Sequence, residues 1–140
     1  MKIFIDTNIA LDYMQGRKNP EQVELFLSSV KKDTDNRTYV SYLTMANAAY
    51  ILRKQYSSTE LNILFRTFTS GCNVLPMNDM QLYEALRSAN PSPDFEDNLQ
   101  IMCAESGGCD VIVTHNIDHF RPYTDIPAIT PEDFISHCQK

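Results

Sequence analysis

The feature that most constrains the fold is a short apolar run, Ile3-Phe4-Ile5, that ends on a carboxylate, Asp6, and passes at once into Thr7-Asn8 and a helix-patterned stretch. Successive side chains of a strand point to opposite faces, so an unbroken apolar run reads as a strand buried on both. Buried strands of this kind belong to parallel sheets covered by helices. Such folds gather their ligands at the carboxyl ends of the strands. Asp6 stands at one of these ends, and function is sought around it.

The rest of the chain repeats the alternation. Asn8 to Met14 carries apolar residues at near-helical spacing, Gly16 and Asn19-Pro20 break it, and Glu21 to Val30 resumes with Val23, Phe26, Leu27 and Val30 on one face. Thr38 to Ser41 reads as a strand, Leu43 to Gln55 as a long helix, and Ser57-Ser58-Thr59-Glu60 as the capped start of another that ends at Gly71. Val74-Leu75, Val111 to Val113 and Ala128-Ile129 are further strands. Helices are expected over Asp79 to Ala89, from Phe95 to Glu105 before Gly107-Gly108, and from Thr130-Pro131-Glu132 to about His137. Strands alternating with helices imply an α/β fold with a central, mainly parallel sheet covered on both faces.

A length of 140 residues suits one domain, expected to span residues 1–140. With 43% hydrophobic and 21% charged residues the composition is that of a folded domain, not a disordered chain. No stretch approaches the roughly 20 apolar residues of a membrane span, and Met1 runs directly into a strand without a signal segment, so a cytoplasmic protein is expected. Cys72, Cys103, Cys109 and Cys138 show neither CxxC pairing nor zinc-ligand spacing and read as reduced, mostly buried thiols. A formal charge of −6 argues against extensive nonspecific nucleic-acid binding, yet is compatible with a cluster of carboxylates around a divalent ion.

In a parallel sheet, Asp6 after the first strand and Thr114-His115-Asn116-Ile117-Asp118 after Val113 become neighbours. Asp94 and Asp97 stand three apart at the start of a helix and share one side of it. Aspartate oxygens suit Mg²⁺ or Mn²⁺, and the matching chemistry is phosphodiester hydrolysis, which with a metal needs no Ser, Cys or His nucleophile. Each element also has a simpler use: Asp6-Thr7-Asn8 and Asp94 as helix caps, and Asp97 as a first-turn acid favoured by the helix dipole.

Taken in order, Ile3-Phe4-Ile5-Asp6-Thr7-Asn8, the segment from Val40-Ser41 to Tyr50, Asp94-Phe95-Glu96-Asp97, and Val111-Ile112-Val113-Thr114-His115-Asn116 resemble the PIN-domain nucleases, and among them the VapC-like toxins of toxin–antitoxin pairs. The resemblance covers nearly the whole chain. It implies a three-layer α/β/α domain with about five parallel strands. It also implies a Mg²⁺- or Mn²⁺-dependent ribonuclease site built from Asp6 and Asp97 with further acids, Asp94 among them. Thr114 would orient a water or carboxylate, and Asn116 would occupy a place where the family has Asp or Asn. The implied partners are an RNA substrate, an antitoxin protein and, through the helices from Leu43 to Phe68, a second copy of the chain.

The chain departs from that pattern at Asn47, where many members carry a metal-site Glu, and at His119, where the family usually shows Asp before Phe. Asn8, Asn47, His115 and Asp118 are the remaining candidates for lining the site, with His115 free to contact RNA phosphate, to accept a proton or only to pack. Phe26, Tyr42, Tyr50, Tyr56, Phe65 and Phe68 read as core or subunit interface before base-stacking platforms. The leading expectation is a metal-dependent endoribonuclease. The alternatives are a noncatalytic PIN-like module that binds RNA or a protein, and a phosphatase with Asp6 as nucleophile, which Asn8 disfavours because that chemistry commonly wants a second acid there.

Overall fold

The computed structural model describes residues 1–15 and 20–138. Strands β1 (Lys2–Ile5), β2 (Arg37–Ser41), β3 (Asn73–Leu75), β4 (Val111–Val113) and β5 (Ala128–Ile129) form one sheet in the order β3-β2-β1-β4-β5. Every pairing in it is parallel. Helices α1 (Thr7–Gln15), α2 (Pro20–Lys31), α3 (Tyr42–Leu52), α4 (Ser58–Ser70), α5 (Asp79–Arg87), α6 (Phe95–Ser106) and α7 (Pro131–Cys138) cover it.

The period of two along the central strands builds two cores. Ile3, Ile5, Val111 and Val113 face one layer, where they pack with Ile9 and Leu11 of α1, Phe26 of α2, Leu52 of α3, Phe68 of α4 and Phe134 of α7. Phe4 and Ile112 face the other, with Ala85 of α5, Ile101 to Ala104 of α6, and Phe120. The result is the three-layer α/β/α arrangement expected from the sequence, with β1 at its centre.

The strand order decides where a ligand can sit. From β1 the chain moves to β2 and then β3 on one side, and it enters the other side only at β4. β1 and β4 are therefore adjacent strands whose continuations run in opposite directions, which opens a crevice at their carboxyl ends. Ile5 pairs with Val113, and the Asp6 amide extends the ladder by donating to the Val113 carbonyl at 3.0 Å. Asp6 and Thr114 are the first residues beyond that last rung.

Some expectations shift. Helix α3 ends at Leu52 instead of Gln55, because the amides of Gln55 and Tyr56 both turn back onto the Leu52 carbonyl. Helix α5 stops at Arg87 instead of Ala89, where Ser88 leaves helical backbone with ψ at 132°. Two 3₁₀ turns, Ile117–His119 and Arg121–Tyr123, bridge β4 and β5 and are too short for any periodicity to announce. The start of α4 is as expected, a capping box between Ser57 and Glu60.

Cys72, Cys103 and Cys109 are free and buried, with burial pushing their thiols up to about 11, 12 and 11. The Cys138 side chain and the helix-breaking positions Gly16 and Asn19 lie outside what is described. Phe26 and Phe68 belong to the core, while Tyr42 and Tyr50 are exposed at 66% and 65%. No described helix is long and apolar enough to cross a membrane.

Candidate active site

Asp6 is buried at the mouth of the crevice. Its Oδ1 accepts from the Thr7 amide at 2.7 Å, and its Oδ2 accepts from Thr114 Oγ1 at 2.8 Å. The direction of the second bond is set by Asn116, whose amide donates to the same Thr114 oxygen at 3.0 Å and leaves the hydroxyl proton for Asp6. Burial raises the Asp6 pKa above its ordinary value, against the opposing pull of Thr114, Thr7, His119 and His115.

The second arm of the site is the start of α6. Asp94 is its N-cap, with Oδ1 accepting from the amides of Glu96 at 2.9 Å and Asp97 at 3.3 Å. The capping use read from the sequence is thus realised. Asp97 follows one turn in, and its Oδ2 pairs with His119 Nδ1 at 3.1 Å. Desolvation, then Asp94 and Asp6, push the Asp97 carboxyl up to about 6, with His119 opposing. The charge of Asp6 thus reaches Asp97 although the two stand 91 positions apart in the chain.

Sequence reasoning missed Glu96. Its Oε1 accepts from Asn47 Nδ2 at 2.7 Å, a bond that ties α6 to α3. Desolvation, Asp94 and Asp6 raise its pKa as well. Residues adjacent on a helix point about 100° apart, so the side that holds Asp94 and Asp97 does not by itself include Glu96. Only the long side chain and the partner on α3 bring it in.

Beneath these acids lies a buried polar layer that holds the three elements in register. Gln100 Nε2 donates to Thr7 Oγ1 at 2.9 Å and to Thr44 Oγ1 at 3.0 Å, and the two hydroxyls are 2.9 Å apart. Thr44 in turn is tied to Ser41, the N-cap of α3. One layer therefore joins the residue after Asp6, the helix of Asn47 and the helix of Asp97.

The remaining candidates fall to the side. Asn8 is exposed on the first turn of α1, and Asp118 is exposed in the first 3₁₀ turn. Asn116 contributes its backbone amide to Thr114. His115 Nε2 meets Asp12 Oδ2 at 2.8 Å, with the Asp12 side chain only 5% exposed. Asp12 was not anticipated: its clue is a lone carboxylate between Leu11 and Tyr13 on a helix otherwise rich in apolar residues. An open cleft lined by His115, Asn116, Asp118, His119 and Arg121 adjoins the acids. The apolar cavity lined by Ile9, Tyr13, Phe26 and Phe68 has no acidic residue in its walls.

Among the described residues no three Asp, Glu, His or Cys side chains are arranged to close around one ion as they stand. Asp97 is turned to His119, Glu96 to Asn47 and Asp94 to the amides of its own helix. The donor chemistry fits a hard divalent cation all the same, since the charges of Asp6 and Asp94 raise the proton affinity of Glu96 and Asp97, a repulsion that a cation relieves. Asp6 and Asp97, with Glu96 and Asp94 beside them, are the residues that would hold it.

The fold is that of several solved proteins. VapBC2 from Rickettsia felis, in a crystal structure bound to a DNA fragment from its promoter, is 16% identical, with a TM-score of 0.68 and coverage of 93% of this chain and 98% of that one. VapBC-1 from nontypeable Haemophilus influenzae is 22% identical, with a TM-score of 0.67 over 94% and 99% of the two chains. A protein from Pyrobaculum aerophilum is 19% identical, with a TM-score of 0.65 over 99% and 96%. No curated protein matches the sequence. The PIN domain family model matches residues 2–118, a span that holds β1 with Asp6, the start of α6 with Asp97, and β4 with Thr114, and the chain therefore belongs to the PIN domain family.

Proposed function

We propose that this protein is a metal-dependent endoribonuclease and the toxin component of a toxin–antitoxin pair. The observation that carries the reading is the docking of α6, which bears Asp97, against the end of β1, where Gln100 of that helix donates to Thr7 beside Asp6 and the Asp6 charge raises the proton affinity of Asp97. The likeness in fold to VapBC structures supports the partner half of the reading, an antitoxin protein, and with it a cytoplasmic location.

When bound, Mg²⁺ or Mn²⁺ supplies Lewis-acid activation of the scissile phosphodiester and of the attacking water. The chain's own residues do the rest. Asp6 and Asp97 provide the fixed negative charge that holds the cation, Asp94 keeps the first turn of α6 in place, and Thr114 locks the Asp6 carboxylate by donating to Oδ2. His115, His119 and Arg121 border the cleft beside the acids and are the nearby groups suited to an RNA phosphate. The helices α3 and α4, with Tyr42, Tyr50, Ile51 and Ile63 exposed, offer the face for a homodimer.

The test is calorimetric titration of Mg²⁺ and Mn²⁺ into wild type and Asp6→Asn/Asp97→Asn, with RNA cleavage measured on the same samples. Binding and cleavage lost together in the variant support the reading. Binding without cleavage by wild type transfers the assignment to a noncatalytic module, a reading favoured by the uncharged amide at Asn47. Cleavage that survives both substitutions rejects this site.

A further inference from the structure

We infer that Glu96 supplies the acidic group that the amide at Asn47 lacks, and that Asn47 serves as its positioning residue by donating to Glu96 Oε1 at 2.7 Å. The inference deepens the metal-dependent reading above and rests on it.

Three geometric facts carry it. Asn47 lies one turn along α3 from Thr44, and residues three apart share a helix face. Thr44 is anchored at 2.9 Å to Thr7, the neighbour of Asp6, so that face of α3 is directed to the crevice. Glu96 and Asp97 are tied to the same Asp94 oxygen through their amides, which fixes where the Glu96 side chain departs from α6. The Asn47 amide then spans from α3 to α6 and takes up one Glu96 oxygen, while Oε2 keeps its lone pairs, with no hydrogen bond among the described residues.

The chemistry asks for this exchange. A neutral amide oxygen is a weaker ligand for a hard divalent cation than a carboxylate, so a site with Asn47 alone has one negative charge fewer. A carboxylate reaching in from α6 returns that charge. The N-terminal turn of α6 also tolerates it, since the amides there carry partial positive charge. Asn47 keeps a use that a glutamate at its position would lack: its Nδ2 is a donor, and a donor is what orients a neighbouring carboxylate.

The experiment is Mn²⁺ titration calorimetry on wild type, Glu96→Gln, Asn47→Ala, Asn47→Glu/Glu96→Gln and Asp6→Asn, with thermal melting of each variant in EDTA as a check on folding. Glu96→Gln is expected to weaken Mn²⁺ binding by about tenfold or more, and Asn47→Ala by less, since it frees the carboxylate without removing it. Asn47→Glu/Glu96→Gln, which moves the acid back to α3, is expected to recover the wild-type affinity. A merely structural bond between α3 and α6 would already survive Glu96→Gln, whose amide oxygen still accepts from Asn47, so lost affinity in that variant reports the missing charge, and the double variant, which again pairs an amide with a carboxylate, only relocates that charge. Wild-type affinity in Glu96→Gln, with binding lost in Asp6→Asn, overturns the role of Glu96 and leaves the metal site standing. Failure of the double variant to recover affinity overturns the exchange. Equal behaviour of wild type and Asp6→Asn overturns both readings.

Discussion

Thr114 and Asp6 lie 108 positions apart in the chain and 2.8 Å apart in the fold, with the Thr114 hydroxyl donating to the Asp6 carboxylate where β4 and β1 end side by side. Thr114 is fully buried and its oxygen is already occupied by the Asn116 amide, so it has one proton to give and one place to give it. Thr114→Val keeps the shape and removes the donor. With one oxygen of a buried carboxylate unpaired, the variant is expected to lose about 1–3 kcal/mol at neutral pH in urea unfolding, and Thr114→Ser to lose clearly less. An unchanged midpoint in Thr114→Val would show that the bond contributes nothing to holding the strand ends together.

Asp97 links the site to pH. Its carboxyl is raised from an ordinary 3.8 to about 6, chiefly by desolvation and then by Asp94 and Asp6. A raised acid binds its proton more tightly in the folded state than in the unfolded one. Its stabilising effect is therefore complete below about pH 4 and is lost as the pH rises through about 6. Asp6 is raised as well, and its contribution has the same sign. In EDTA, melting temperature should fall between pH 4 and 7, and Asp97→Asn should flatten that slope. A slope equally steep in the variant would assign the pH dependence to other groups.

Asp12 and His115 form the second buried pairing near the crevice, 2.8 Å apart, with the carboxylate enclosed and the imidazole one-third exposed. His115→Ala strips the partner from a buried carboxylate and is expected to cost about 1–3 kcal/mol in urea unfolding. Asp12→Asn retains an oxygen that accepts from the imidazole and should cost less. If His115→Ala unfolds at the wild-type midpoint while RNA cleavage falls, His115 belongs to substrate contact and not to packing.

The strands that build the crevice were legible because continuous burial leaves a plain mark: Ile3 to Ile5 and Val111 to Val113 admit few other uses. The parallel sheet and the meeting of Asp6 with Thr114 followed from it. The acids at α6 were legible only as candidates. Asp94 is the kind of residue that caps a helix and the kind that ligates a cation, and the fold employs it as a cap. Glu96 and Asp12 escaped for a different reason. Their partners, Asn47 and His115, sit on elements remote in sequence, and no spacing along one helix encodes a hydrogen bond to another. The 3₁₀ turn that carries His119 to Asp97 is three residues long, shorter than any period that a pattern can repeat.

A cation that binds only the folded acids must stabilise them. For one site, folding gains about 2.7 kcal/mol when the free ion is a hundred times its dissociation constant, whatever the details of coordination. Mn²⁺ or Mg²⁺ at that level should therefore raise the melting temperature of wild type, and EDTA should return it. The rise should grow with pH, because protons and cation compete for the same oxygens and Asp97 still holds its proton up to about pH 6. Asp6→Asn/Asp97→Asn should show no rise at any pH. A metal-induced rise that persists in the double variant would place the bound ion elsewhere on this acidic chain.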